Sequence, residues 1–122
     1  MPARIREVIV DCRAPDDVAA FWAGALGRAI QEYPGGVRFL AASEGDDDGP
    51  LLVFVPEREP RSGRNRLRLA VAAGEGTLQD EVDRLVALGA RAVDSGGGAV
   101  PFVLLADPEG NDICVLGPAP AT

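Results

Sequence analysis

Hydrophobic and polar positions recur with two different periods along this chain, and the switches between them mark out its elements. Residues 4–12 (RIREVIVDC) alternate and end in β-branched side chains, so they read as a strand with Val8, Val10 and Cys12 on one face and Glu7, Ile9 and Asp11 on the other. The period then lengthens. Pro15 suits a first helical position, Asp16 and Asp17 favour the positive end of a helix, and Val18, Phe21, Trp22, Ala25 and Leu26 recur at helical spacing until Gly27 stops the pattern. Short strands are expected at 29–33, 37–42 and 51–55, separated by a Pro34-Gly35-Gly36 turn and an acidic loop over 44–49. The first half therefore reads β-α-β-β-β.

A polar segment rich in proline and glycine, PEREPRSGRN, suits a connector, and the order then repeats. A strand is expected over 66–72, a helix over 78–88, a short strand near Ala92, and strands over 100–106 and 112–116. Thr77 is placed to cap the second helix, with Asp80 and Glu81 in its first turn, Leu78, Val82, Leu85, Val86 and Leu88 as its apolar residues and Gly89 at its end. Leu26-Gly27 and Leu88-Gly89 echo each other about sixty residues apart, so two copies of one unit are the simplest account. The expected organisation is one domain over 1–122, with module one over about 1–57, a connector over about 58–64 and module two over about 65–118.

Composition changes this picture in few places. An apolar fraction of 47% with 25% charged residues is globular, which removes disorder as a reading. The net charge of -7 repels phosphate backbones and anionic headgroups, so neither nucleic acid nor a membrane is expected as a partner. The N-terminal residues run straight into the first alternating segment without an apolar leader, which places the expected protein in the cytoplasm. Only Cys12 and Cys114 are present, and their spacing fits reduced core residues better than a disulfide framework.

Val8-Ile9-Val10-Asp11-Cys12, Pro15 and Phe21-Trp22, Val55-Pro56-Glu57, Asn65-Arg66-Leu67-Arg68-Leu69, Leu88-Gly89-Ala90, Ala106-Asp107-Pro108-Glu109-Gly110-Asn111 and Cys114-Val115-Leu116 follow in an order that resembles glyoxalase-like proteins of the vicinal oxygen chelate superfamily. The resemblance covers nearly the whole chain and rests on order and spacing, since Asp-Pro-Glu-Gly-Asn by itself is only a good turn. It implies an α+β fold of two βαβββ modules forming an eight-stranded incomplete barrel, a cup with the helices outside, and it implies a homodimer. Relatives implied by it include metal-dependent isomerases, ring-cleaving dioxygenases, thiol transferases and metal-free drug-sequestering proteins, among which fold alone cannot choose.

Metal-using relatives draw His, Glu or Gln ligands from inward positions on the first and last strands of each module, and the resemblance maps these onto Glu7, Val53, Arg68 and Cys114. The chain has no histidine at all, Val53 has no donor, and Arg68 puts a permanent cation where the family usually carries imidazole. Glu7 and Cys114 alone fall short of a ligand shell, so no metal and no cofactor are expected. Two readings of Glu7 and Arg68 stand side by side: an ion pair across the cup in place of metal charge, or two solvated charges at its mouth. Strand alternation adds Ile9 and Asp11 beside Glu7, Arg66 and Ala70 beside Arg68, and Asp112 and Leu116 beside Cys114.

Several tempting residues have plainer explanations. Trp22 and Phe21 fit a helix core stripe better than a stacking platform, whereas Phe54 and Phe102 fit either the cup lining or the core. Asp107 is expected to cap the turn before Gly110. Asp46-Asp47-Asp48 lacks the alternate ligands and distal glutamate of a calcium loop, and Ser95-Gly96-Gly97-Gly98 lacks the lysine of a phosphate loop. Cys114 would need a neighbouring cation and a base to act as a nucleophile, and no histidine supplies the base. The resulting expectation is metal-independent binding of a small organic ligand through Glu7, Ile9, Asp11, Arg66, Arg68 and Cys114. Its rivals are a divalent-metal lyase, isomerase or dioxygenase of the glyoxalase type, and an interaction module without a ligand.

Overall fold

A computed structural model describes residues 2–41, 49–57, 63, 65–74, 76–93 and 102–117. The acidic run 46–48, the glycine loop 95–98 and most of the expected connector lie outside the described residues. The chain divides into two compact units, Met1–Arg61 and Ser62–Thr122, each built as β-α-β-β-β.

In the first unit the elements are β1 (Glu7–Cys12), α1 (Pro15–Leu26), β2 (Ile30–Tyr33), β3 (Val37–Leu40) and β4 (Leu51–Pro56). They form a four-stranded sheet in the order β1-β4-β3-β2, in which β1 and β4 are parallel and the remaining pairs antiparallel. The register sets Val8 against Leu52 and Val10 against Phe54, and α1 packs across β3 and β4. Val18, Ala19, Phe21 and Trp22 are the buried residues of α1, and the rings of Phe21 and Trp22 meet edge to face at 5.5 Å, so both belong to the core. Phe54 and Leu40 are fully buried, which settles Phe54 as core. Pro15 opens the helix without a side-chain cap, and Gly27 closes it in the left-handed region at φ 68, with its N–H donating to the Ala23 carbonyl at 2.9 Å.

The second unit carries β5 (Leu69–Ala72), α2 (Leu78–Leu88), β6 (Arg91–Ala92), β7 (Phe102–Ala106) and β8 (Asp112–Leu116). Its sheet runs β5-β8-β7-β6, again with one parallel pair, β5 with β8. Ile113, Val115 and Leu105 are fully buried with Leu85 of α2. Thr77 caps α2 as expected and does so in a reciprocal box: the Asp80 N–H donates to the Thr77 hydroxyl at 3.1 Å and the Thr77 N–H donates to the Asp80 carboxylate at 3.0 Å. The inward stripe of α2 is narrower than its apolar pattern implies. Glu81, Val82 and Leu85 are buried while Val86 and Leu88 are 45% and 40% exposed. Glu81 tolerates burial because Arg84 donates to it through two nitrogens at 2.9 and 2.8 Å.

The eight strands thus lie in two separate four-stranded sheets. Strand ends differ from expectation where a ladder partner runs out. β1 begins at Glu7 instead of residue 4, because its neighbour β4 is preceded by Pro50, which has no N–H to give; the Leu51 N–H to the Arg6 carbonyl at 3.0 Å is the ladder's start. β5 begins at Leu69, opposite Ile113, instead of residue 66; continued in register, residues 66 and 67 would face Gly110 and Asn111 of the turn before β8, where Gly110 has φ 87. β3 ends at Leu40, short of the expected residue 42, while residues 100 and 101 of the expected seventh strand lie outside the described residues and β7 is described over Phe102–Ala106.

Phe54→Ala is expected to cost about 3–5 kcal/mol through lost burial and the cavity left behind, read by urea unfolding; a loss below about 1 kcal/mol would mean that the first unit has no tightly packed centre at this residue. Burial raises the Glu81 carboxyl less than the Arg84 hydrogen bonds lower it, so it sits below the usual glutamate value. A carboxyl lowered on folding stabilises above its unfolded pKa and ceases to do so as pH falls through the folded one. The native chain should therefore lose more stability than Glu81→Gln on acidification below about pH 4.3, in urea midpoints taken at several pH values; parallel curves for the two proteins would contradict the pairing.

Candidate functional site

Each sheet buries one face beneath its helix, and strand alternation leaves the other face to carry chemistry. Along β1 the residues alternate between exposed and half-buried, with Glu7, Ile9 and Asp11 exposed and Val8, Val10 and Cys12 turned inward. The register extends this face across the whole sheet: Ile9 stands beside Val53, Val53 beside Phe39 and Phe39 beside Gln31, while Glu7 adjoins Leu51 and Asp11 adjoins Val55. The result is an apolar row with two carboxylates at its β1 edge. Ile9 is 61% exposed, a large apolar side chain left uncovered by the described residues of this unit. The three candidate residues of the first unit therefore share one face, as alternation requires.

The second unit brings its candidates together less completely. Cys114 lies on β8 between Ala70 of β5 and Leu104 of β7, on the helix-free face, and is only 9% exposed. Phe102 pairs with Leu116, and Leu116 with Ala72, on that same face, which places Phe102 away from the helix-side core. The small side chains of Ala70 and Ala72 leave this face lower than its counterpart at Ile9. Arg66 and Arg68 were expected on a strand beginning at residue 66; the structure puts both in the exposed segment ahead of β5, outside the ladder. Continued in the same parallel register, Arg66 would face Gly110, which is still in the turn at φ 87, whereas Arg68 would face Asp112, the first residue of β8. Neither cysteine is in a disulfide; Cys12 is core, its Sγ 3.6 Å from the Val55 carbonyl.

The turn between β7 and β8 is a densely hydrogen-bonded polar feature. Asp107 is fully buried, and its Oδ1 accepts the N–H groups of Glu109 and Asn111, both at 2.9 Å. The Asp107 N–H donates to the Asn111 carbonyl and the Gly110 N–H to the Asp107 carbonyl, each at 2.9 Å. This is the capping role that the Asp-Pro-Glu-Gly-Asn pattern implies. Sequence reasoning missed what the turn holds: the Asn111 side chain donates to both Asp107 oxygens and accepts from Asn65, which directly precedes Arg66. It missed Arg38 as well, whose guanidinium reaches Asp16 of α1 at 2.7 Å and Glu32 of β2 at 3.1 Å. No periodicity marks such a residue, because Arg38 sits on the helix side of β3 where the pattern calls for an apolar side chain.

The residues present do not fit the metal that the resemblance implies. Val53 offers no donor and Arg68 is a cation without a lone pair to give. Among the described residues no three cysteine or carboxylate side chains converge as ligands.

Asp107→Ala should destabilise the protein by about 1–3 kcal/mol, because two backbone N–H groups lose a charged acceptor in a buried turn. Urea unfolding checks this, and a change within about 0.5 kcal/mol, the size of an ordinary surface substitution, would show that the turn does not depend on its carboxylate.

With this geometry described, the chain can be set beside known proteins. The family model described as a glyoxalase-like domain matches residues 7–116. A glyoxalase/bleomycin resistance protein/dioxygenase family enzyme from Burkholderia phytofirmans PsJN is similar in structure, with a TM-score of 0.74 at 18% identity over 96% of this chain and 100% of that one. A glyoxalase-related enzyme from Fulvimarina pelagi gives 0.69 at 15% identity, covering 95% and 88%. TnmS3, an antibiotic-binding protein from Streptomyces sp. CB03234, gives 0.65 at 18% identity, covering 97% and 98%. At such identities these likenesses speak to fold. Comparison with curated proteins gives no match.

Proposed function

Since the chain belongs to the glyoxalase-like domain family of the vicinal oxygen chelate superfamily, we propose that it binds a small organic molecule without a metal ion, as one functional domain over 1–122. The contacts in this reading are Glu7, Ile9 and Asp11 on the helix-free face of the first unit's sheet and Arg66, Arg68 and Cys114 in the second unit. The observation that carries it is the donor chemistry at the mapped ligand positions, where Val53 and Arg68 cannot coordinate. The mixed character of the surface supports it further, because apolar side chains with a few charged groups suit a ligand that is part apolar and part polar. TnmS3 supports the ligand-binding side of the reading, being described as an antibiotic-binding protein.

The charges narrow the ligand class. Arg66 and Arg68 are exposed guanidiniums one residue apart, and a guanidinium forks onto a carboxylate through two parallel hydrogen bonds. A small apolar carboxylic acid is the ligand type that uses both this pair and an apolar surface. The net charge of -7 opposes an anion at long range, so the interaction must be won locally. We place the protein in the cytoplasm as a homodimer, a state that light scattering on the purified chain reads directly.

The rival is a metal-dependent lyase, isomerase or dioxygenase, favoured by two structural neighbours that are enzymes, the glyoxalase-related one from Fulvimarina pelagi and the one from Burkholderia phytofirmans PsJN. Benzoate serves as the test ligand and elemental analysis as the metal test. Benzoate should raise the melting temperature of the metal-free native chain in proportion to the logarithm of its concentration once above its Kd, and Arg68→Leu should abolish that rise. One bound divalent ion per chain in the protein as purified would overturn the metal-independent reading. An unchanged melting temperature and an unchanged benzoate response in Arg68→Leu would remove Arg68 from the site.

A further inference from the structure

Asn65, Asn111 and Asp107 are joined through their side chains, and the ligand-binding reading leaves this chain of hydrogen bonds without a role. Its sense is fixed by donor and acceptor chemistry. The Asn111 carboxamide nitrogen donates to Asp107 Oδ1 at 3.2 Å and to Oδ2 at 3.0 Å. An amide turned the other way would set a carbonyl oxygen against a carboxylate, so the nitrogen must face Asp107 and the oxygen must face outward. The Asn65 side-chain nitrogen donates to that outward oxygen. Asp107 anchors the chain because it is fully buried and is itself held by the backbone N–H groups of Glu109 and Asn111.

The far end of the chain is where this matters. Asn65 directly precedes Arg66-Leu67-Arg68, and these residues come before the β5 ladder begins at Leu69. Leu67 is 87% exposed, so apolar packing does little to hold the segment in place. A side-chain tether at Asn65 is the structural link between these arginines and a rigid, buried turn.

We propose that Asn65 and Asn111 are positioning residues, tying the arginine-bearing segment to the Asp107 turn so that affinity for a carboxylate at Arg66 and Arg68 is set partly at the connection between β7 and β8. This inference rests on the reading that Arg66 and Arg68 contact the ligand. A loose segment loses conformational freedom when it binds, whereas a tethered one has lost it already, and pre-ordering of this kind appears as affinity. The required chemistry at residue 65 is a hydrogen-bond donor of the right reach. Leucine has the shape without the donor, aspartate opposes an acceptor to the Asn111 oxygen, and glutamine keeps the donor one methylene further out.

The test uses the full chain with benzoate, following amide shifts by NMR for affinity and amide exchange at Leu67 and Arg68 for order. Asn111→Leu also strips a donor from a buried carboxylate, so Asn65→Leu is the informative variant, because Asn65 is exposed and lies outside the turn. Asn65→Leu and Asn65→Asp should raise the benzoate Kd about two- to tenfold, the loss of one hydrogen bond, and speed exchange at Leu67 and Arg68 with the melting temperature nearly unchanged. Asn65→Gln should recover part of the exchange protection. Unchanged exchange and unchanged Kd in Asn65→Leu would overturn the positioning role. If Arg68→Leu leaves the benzoate Kd unchanged, Arg68 is not in the site and the ligand premise of this inference fails, while the exchange rates still decide whether the tether orders the segment.

Discussion

Each unit depends on a parallel pair of strands whose alternate side chains are driven beneath a helix. In the first unit that pair is β1 with β4, and Val8, Val10, Leu52 and Phe54 make up its inward rows. In the second it is β5 with β8, with Leu69, Val71, Ile113 and Val115 in the corresponding places. Burial of these rows contributes most of the stabilisation open to a sheet of this size, since a fully buried aliphatic or aromatic side chain is worth about 1.5–3 kcal/mol. The same constraint decides where chemistry can sit. A period of two leaves every second residue on the opposite face, so a charged group there costs the core nothing, and Glu7 and Asp11 occupy it.

The polar groups that do enter the interior are paired in ways that tie distant parts of one unit together. Arg38 lies on the helix side of β3 with its side chain 17% exposed, and its two carboxylate partners sit on α1 and β2, which fastens the helix start to the hairpin. Asp107 answers two backbone donors of its own turn and the Asn111 amide. Glu81 is paired within its helix. Among the described residues no buried side-chain nitrogen or oxygen lacks a partner, which is what a set of specific tethers requires.

How much of this was legible follows from where the deciding information is stored. α2 over Leu78–Leu88 and β8 over Asp112–Leu116 could be bounded in advance, because Thr77, Gly89, Asp107 and Gly110 are local signals that act through their own backbone. The start of β5 could not, since whether Arg66 has a ladder partner depends on where a strand more than forty residues away leaves its turn, and no local signal records that. Val86 and Leu88 look like core on a helical wheel and are exposed, for the stripe that α2 buries is set by the width of the sheet beneath it. At the candidate site, alternation sufficed for Glu7, Ile9 and Asp11, which fall on one exposed face. Asn65 escaped notice because its significance is a partner, Asn111, visible only in three dimensions.

The donor chemistry and the positions of the charges lead to one physical consequence. A metal centre concentrates positive charge at a point and orders its surroundings through coordination bonds, which are short and directional. Arginines at residues 66 and 68 supply positive charge as well, but on long side chains whose freedom must be limited by something else before they can favour one ligand geometry. A coordination shell would bring its own order; guanidiniums on an exposed segment do not. On the metal-free reading proposed above, the burden of order passes from the ligand shell to the scaffold, and the buried Asp107 turn, joined through Asn111 to Asn65, is the scaffold element beside the arginines. The proposed metal-free recognition asks nothing of the core, because the inward rows of β5 and β8 are apolar and the groups it uses lie on the helix-free face and in the segment ahead of β5.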